Sequence, residues 1–199
     1  MHLSNSSIIE HCLNKQLPAV EREVFVFGDP AADQHTKSLV DVLLELMKAA
    51  QNDDHLLVVT SGFVIDLAAG KLVRSHHDLD LLVPESDLLW VRQLLEARGF
   101  AIDHYQKKNP KTAFFGTKGD LIVDIGGFNV SQTEVFDNTN LDGSKFIWPV
   151  TPEEFLWSRT IDGMVIPFVS PKAIYHFKST SGRNDQKDVA DLKMLEIYL

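Results

Sequence analysis

The chain is short of cysteine, of basic charge and of long apolar stretches, and each shortage excludes a class of protein. Cys12 is the only cysteine in 199 residues. No intrachain disulfide can form, and a zinc site built on thiolates is ruled out. No apolar run reaches the roughly 20 residues that span a bilayer. The first fifteen residues carry no basic stretch leading into an apolar one, so no secretory signal is expected and a cytoplasmic location is the default. Lys and Arg total 19 against 28 Asp and Glu, a formal net charge of -9. A general nucleic-acid binder needs a basic face that this balance does not supply. A single nucleotide needs only a few cations and a metal. An acidic chain also attracts cationic small molecules, although the same charge serves to keep a protein in solution. Neither internal repeats nor low-complexity segments occur.

Hydrophobic residues make up 44% of the chain, enough for a substantial core. Their spacing predicts a short helix over 5–16 and a β-rich run from Glu23 to Phe27 that ends in the turn Gly28-Asp29-Pro30. Helical periodicity follows from Thr36 to Ala50. Leu56 to Thr60 reads as a buried strand, and Val64 to Ala69 as a short helix stopped by Gly70. Asp78 to Val83 reads as a strand ended by Pro84. Glu85 to Arg98 reads as an amphipathic helix with Leu88, Leu89, Val91, Leu94 and Leu95 inside and Gly99 as its stop. Strands are expected over 100–106, 112–117 and 120–125, with Lys118-Gly119 as a tight turn and Gly126-Gly127 closing the sheet pattern. Thr151-Pro152-Glu153-Glu154 is a helix start. A strand over 164–169, a helix opened by Ser170-Pro171 and a last helix from Asn184 or Asp185 to Tyr198 complete the chain. The expected class is α+β, a mixed sheet flanked by helices. The division is residues 1–135 as the main domain and 136–199 as a smaller, mainly helical part that completes the cleft.

Three features carry chemistry. Thr60-Ser61-Gly62 is a strand-to-helix turn without bulky side chains, whose backbone amides can hold phosphate oxygens. In His76-His77-Asp78-Leu79-Asp80, two carboxylates two residues apart share one strand face. They repel each other unless a cation lies between them, and oxygen ligands of this kind suit magnesium. An isolated pair of this spacing is more often a solvated strand edge, so a third member matters. Asp124, in Leu121-Ile122-Val123-Asp124-Ile125, is a charge inside an apolar strand and is costly to bury unless paired or metal-bound. Asp120 competes with it but sits at the turn.

The stretch Ser61-Gly62-Phe63-Val64-Ile65-Asp66, followed by Gly70, Arg74, His76, Asp78 and Asp80, resembles the aminoglycoside and lincosamide nucleotidyltransferases of the polymerase-β-like superfamily. Their pattern is a glycine pair, an aromatic, an aspartate, a glycine and then R-x-H-x-D-x-D, and the spacing from Gly62 to Asp80 matches without a gap. Ser61 stands where the family usually has its first glycine, and Phe63 where it often has tryptophan. A weaker likeness extends to Asp124, Arg183, Lys187-Asp188 and Asp191.

The resemblance implies the polymerase-β-like fold and a nucleotidyl transfer. Phosphates of a nucleoside triphosphate would bind near Ser61-Gly62. Mg2+ or Mn2+ would be held by Asp78 and Asp80, with Asp124 as a further ligand or as the base for the attacking hydroxyl. Lys178, Arg183 and Lys187 would neutralise the triphosphate, or else are ordinary surface cations. Arg74 and His76 are expected to shape the loop before the strand, ahead of a metal role for His76, and Asp66 to act as scaffold. The acceptor would be a small hydroxylated molecule, with a cationic, aminoglycoside-like compound suited to the acidic chain. Two alternatives stay open: nucleotidylation of a protein or RNA end, and an idle protein that binds a nucleotide without turning it over.

Overall fold

A computed structural model describes residues 5–27, 33–106, 108–137, 140–180 and 186–199. Among them ten strands form one mixed sheet, in the spatial order β1 (Leu13–Val20), β9 (Leu156–Ile161), β10 (Met164–Val169), β2 (Val58–Val59), β3 (Leu79–Pro84), β6 (Leu121–Val130), β5 (Ala113–Lys118) and β4 (Ala101–Asp103). Strands β7 (Val135–Asp137) and β8 (Phe146–Ile147) extend the far end of β6. Pairing is parallel at β1/β9, β10/β2 and β3/β6, and antiparallel elsewhere. The α+β expectation therefore holds. No helix among the described residues is long and apolar enough to cross a membrane.

Helix α2 (Gln34–Asn52) starts where the Asp33 carboxylate accepts a 2.7 Å hydrogen bond from the Thr36 amide, a side-chain N-cap. Its buried stripe of Leu39, Val40, Leu43, Leu46, Met47 and Ala50 repeats at helical spacing and packs on β10 and β6. Helix α3 (Phe63–Ala69) ends at Gly70, whose φ of 76° suits a residue without Cβ. Arg159 caps it. Its guanidinium donates to the Leu67 carbonyl at 2.5 Å and the Ala68 carbonyl at 3.0 Å, and to the Pro18 carbonyl of β1 at 2.6 Å. That buried cation thus sits at a helix C-terminus, where the macrodipole favours it.

Several expectations needed correction. The predicted helix 5–16 stops early: α1 spans Asn5–Cys12, and the chain then runs extended as β1. The exposed edge of β9 supplies its ladder, and β1 is an edge strand, which tolerates Pro18. The Glu23–Phe27 run is a wide helical turn rather than a strand. Its neighbours Phe25 and Val26 both enter the core, which alternation along a strand would forbid. The turn expected at Gly28-Asp29-Pro30 lies outside the described residues.

Helix α4 (Leu88–Ala97) follows a single 3-10 turn and buries Leu88, Val91 and Leu95, whereas Leu89 points out. The pair Gly126-Gly127 does not end the sheet, because β6 continues to Val130. These glycines answer a close approach instead. A Cβ on Gly127 would lie 2.9 Å from Glu85 Cγ and from Leu88 Cδ1, where α4 crosses the sheet.

The helix start at Thr151 is spent on one turn, Pro152–Glu154, before the chain enters β9. Consequently the segment 136–199 is not mainly helical. It contributes β8, β9 and β10 to the sheet that residues 1–135 share, and adds α5 (Pro171–Thr180) and α6 (Gln186–Leu195). The opening of α6 at Asn184 or Asp185 lies outside the described residues.

Candidate active site

The site is assembled where β3 and β6 run side by side. Their register places Asp80 opposite Asp124 and Leu79 opposite Val123. Alternation then sends Val123 and Ile125 into the core, both essentially buried, and leaves Asp124 on the cleft side with Asp80. Asp78 flanks the start of β3. Each of the three aspartates offers a carboxylate oxygen, and these atoms all lie within 4.8 Å of one another. Asp120 is instead exposed at the β5–β6 turn, 3.2 Å from the His35 ring.

Burial, and then the Asp78 charge, push the Asp80 carboxyl up to about 6, while Lys108, Lys187 and Lys178 pull it back. Burial, then Asp80 and Asp78, push Asp124 up to about 7. Asp124 Oδ1 is buried and has no hydrogen-bond partner among the described residues. An all-oxygen donor set with an unpartnered buried carboxylate oxygen fits a hard divalent cation such as Mg2+ or Mn2+.

Behind the acids runs a chain of ionic contacts. Asp66 accepts from the Val73 amide at 2.6 Å with one oxygen, and its other oxygen lies 2.6 Å from His76 Nε2. His76 is 2% exposed, stacks on Phe63 and takes its backbone bond to Thr36. Its Nε2 is thus turned toward Asp66. Its Nδ1 lies 3.2 Å from Arg74, whose guanidinium grips Asp191 through two bonds of 2.9 and 3.1 Å. Lys178 contacts the same Asp191 at 3.0 Å and Asp188 at 2.5 Å. The network ties the β3 approach to α5 and α6.

The turn ahead of α3 explains its composition. Ser61 has a φ of 55°, in the left-handed region that favours glycine, and it occupies the place where a glycine is usual in the resemblance. A Cβ on Gly62 would overlap the Arg74 guanidinium and touch the His76 ring. Gly62 is therefore needed for the network to pack behind the turn.

Two hollows meet at the acids. One, of about 280 Å³, is walled by Ser61, Gly62, Arg74, Lys178 and Lys187. The other, of about 260 Å³, is walled by Asp137, Phe146, Trp148 and Phe177. Asp80, Asp124 and Lys108 line both. The structure thus brings Ser61, Gly62, Asp78, Asp80, Asp124, Lys178 and Lys187 together, and Arg183 lies outside the described residues. Sequence reasoning missed Lys108 and the aromatic wall. A lysine in the loop after β4 carries no motif, and the aromatics come from β8, its flank and α5. A Phe-x-Trp pair in a turn-rich stretch was the only signal.

The model of the family described as aminoglycoside-2''-adenylyltransferase matches residues 42–195. No curated protein matches the chain. Among solved structures, the chain is similar to the lincosamide antibiotic adenylyltransferase LnuA in its lincomycin-bound form, with a TM-score of 0.65 at 19% identity. The match covers 80% of this chain and 97% of that one. It is similar to ANT(2'')-Ia in complex with adenylyl-2''-tobramycin, with a TM-score of 0.59 at 17% identity over 79% of this chain and 87% of that one. A candidate nucleotidyltransferase of Thermotoga maritima gives a TM-score of 0.52 at 18% identity, covering 81% and 92%. At these identities the structural likenesses show the fold.

Proposed function

The chain belongs to the aminoglycoside-2''-adenylyltransferase family and is a nucleotidyltransferase, and from that premise we propose that it transfers a nucleoside monophosphate from a triphosphate to a hydroxyl of an antibiotic-like small molecule. The single observation that supports this most is the convergence of Asp78, Asp80 and Asp124 between a cationic hollow and an aromatic one. The cationic hollow suits the triphosphate: Ser61 and Gly62 present backbone groups, and Lys187 and Lys108 face the acids from the open side. The aromatic hollow suits the acceptor.

A divalent cation held by Asp78, Asp80 and Asp124 would supply charge neutralisation at the α-phosphate and at the departing pyrophosphate. The chain's own groups do the rest. The Asp80–Asp124 edge aligns the acceptor hydroxyl with the α-phosphorus, a positioning effect. The hydroxyl oxygen forms a bond to that phosphorus, the bond from the α-phosphorus to the bridging oxygen breaks, and pyrophosphate leaves with the electron pair. The hydroxyl proton passes to the carboxylate of Asp124. Lys178 holds α6 in place through Asp188 and Asp191 and keeps the cationic hollow open.

The test is a screen of labelled ATP, GTP, CTP and UTP with magnesium against a panel of hydroxylated acceptors, following pyrophosphate release. Acceptor-dependent release that vanishes in Asp80→Asn is expected. Release from no nucleotide with any acceptor sinks the reading.

A further inference from the structure

Of the three site aspartates, the sheet places only two. Leu79 is the first residue of β3 paired to β6, opposite Val123. Asp80 and Asp124 therefore lie within the ladder, and Asp78 lies just before it. The acids repel one another, and no ladder bond restrains a residue outside the strand, so another element has to hold Asp78 in place.

The first turn of α2 supplies that restraint. Each of the three residues ahead of Asp78 is bonded to it or to its cap. The Asp33 carboxylate takes a side-chain hydrogen bond from Ser75. Thr36 Oγ1 accepts from the His76 amide at 2.9 Å, a buried contact. His35 Nε2 lies 3.2 Å from the His77 carbonyl, the peptide oxygen next to Asp78. The other ring nitrogen, Nδ1, lies 3.2 Å from the Asp120 carboxylate, at the turn that leads into β6 and Asp124.

A carbonyl and a carboxylate only accept hydrogen bonds, so the ring donates from both nitrogens and is charged in this arrangement. Its surroundings favour that form. The His77 carbonyl raises the ring's pKa above its ordinary 6.5, burial opposes the rise, and Asp120 and Asp33 add to it. His35 thus joins the approach to β3 with the approach to β6, the two segments that have to stay in step for the acids to converge. Helix α2 does not need these contacts for its own seat, since its apolar stripe docks it and Asp33 caps it.

We infer that His35 is a positioning residue for the metal site: its ring holds the His77 peptide, and through it the Asp78 carboxylate, where one divalent cation can be shared with Asp80 and Asp124. The inference rests on the proposed three-aspartate cation site and not on the identity of the acceptor.

The experiment measures Mn2+ affinity by electron paramagnetic resonance with a non-hydrolysable ATP analogue present. It compares the parent with His35→Ala, His35→Gln and His35→Asn, and adds a metal-free thermal melt of each. A glutamine amide reaches the place of Nε2 and can donate to the His77 carbonyl. An asparagine amide reaches only the place of Nδ1, on the Asp120 side. His35→Ala is expected to weaken Mn2+ binding about tenfold, in line with the loss of a group that orients a metal ligand. His35→Gln should regain most of that loss and His35→Asn little of it. A role confined to the fold of α2 would lower the melts and leave the Mn2+ affinity of every folded variant unchanged.

If His35→Ala does not fold, the glutamine and asparagine variants carry the comparison. Equal Mn2+ affinity in the parent and the folded variants overturns the inference and leaves the three-aspartate site standing, as does recovery in His35→Asn as full as in His35→Gln. A parent that binds no Mn2+ overturns the site and the inference together. Mn2+ affinities in the expected order, without turnover of any acceptor, uphold the inference and sink the proposed transfer.

Discussion

Asp80 and Asp124 are direct partners across the parallel β3–β6 ladder, so two carboxylates that repel each other are held together by backbone hydrogen bonds. The ladder fixes their Cα positions side by side and on one face of the sheet. Asp78 closes the group from the approach to β3. The sheet itself, rather than any side-chain packing, holds the site in a strained state of charge.

That strain sets a pH dependence. Both carboxyls have an ordinary value of 3.8 in the unfolded chain, against about 6 for Asp80 and about 7 for Asp124 in the fold. Between these limits the folded chain binds more protons than the unfolded one. Metal-free stability should therefore be greatest near pH 4 with respect to these groups and fall as pH rises to about 7, by several kcal/mol. Mn2+ favours the charged forms and should restore the loss at pH 8. Melting temperatures across pH, with and without Mn2+ and nucleotide, check this. In Asp124→Asn the decline should shrink. A wild-type curve that rises steadily from pH 4 to pH 7 without metal contradicts the assignment.

Activity and stability should separate at Asp78. Its charge is a cause of the upward push on both neighbours, so Asp78→Ala relieves repulsion when no metal is bound. The metal-free variant should be as stable as the parent at pH 8, or more so, while transfer is lost. At Asp124, by contrast, Asn keeps the shape. Nucleotide should still bind while turnover falls roughly 10²–10⁴-fold, the range for a lost general base. Calorimetry for the fold and pyrophosphate release for the reaction distinguish the two effects.

The turn before α3 yields a pair of opposite outcomes. Ser61 adopts a φ of 55° at the cost of strain that glycine does not carry. Ser61→Gly should stabilise by about 1 kcal/mol, less whatever glycine adds to the freedom of the unfolded chain. Gly62→Ala should do the reverse. The new methyl meets Arg74 and His76, and displacing them should cost about 2 kcal/mol and weaken nucleotide binding. Thermal melts of the two single variants and the double variant decide it, and a neutral Gly62→Ala would show that the network yields easily.

These positions also show what could be read in advance. The two-residue spacing of Asp78 and Asp80 and the charge inside Leu121–Ile125 report strand alternation, a local property, and both were legible. Lys108 was not, because its place beside the acids depends on how the loop after β4 folds over the sheet. Strand β9 was hidden for another reason. Its polar members Ser158 and Arg159 are buried, and Arg159 is spent on capping α3, so the alternation that marks a half-buried strand is missing. The sequence also offers Thr151-Pro152-Glu153-Glu154 as a helix start, and only the partner strand β10 decides that the helix stops after one turn. Likewise β1 follows α1 directly because β9 presents an edge, a fact outside any local window.

The last prediction separates two lysines that look alike in sequence. Lys178 and Lys187 both border the cationic hollow, and both draw Asp80 downward. Lys178 is nonetheless committed to Asp188 and Asp191, both carboxylates buried, and Asp191 is also clasped by Arg74. Removing one partner from a buried ion pair leaves uncompensated charge, which costs about 3 kcal/mol in typical cases. Lys178→Met should therefore lower the melting temperature strongly, with Asp191→Asn doing the same from the other side. Lys187 lies exposed on α6, where substitutions stay within about 0.5 kcal/mol of neutral. Lys187→Met should leave the melt unchanged and raise KM for the nucleotide several-fold, with the effect shrinking at high salt as screening grows. If Lys187→Met leaves KM unchanged at low salt, that lysine is a surface cation and the triphosphate is held by Lys108 and the Ser61-Gly62 turn instead. If Lys178→Met melts like the parent, the buried ion pairs are not what fastens α6 to the site.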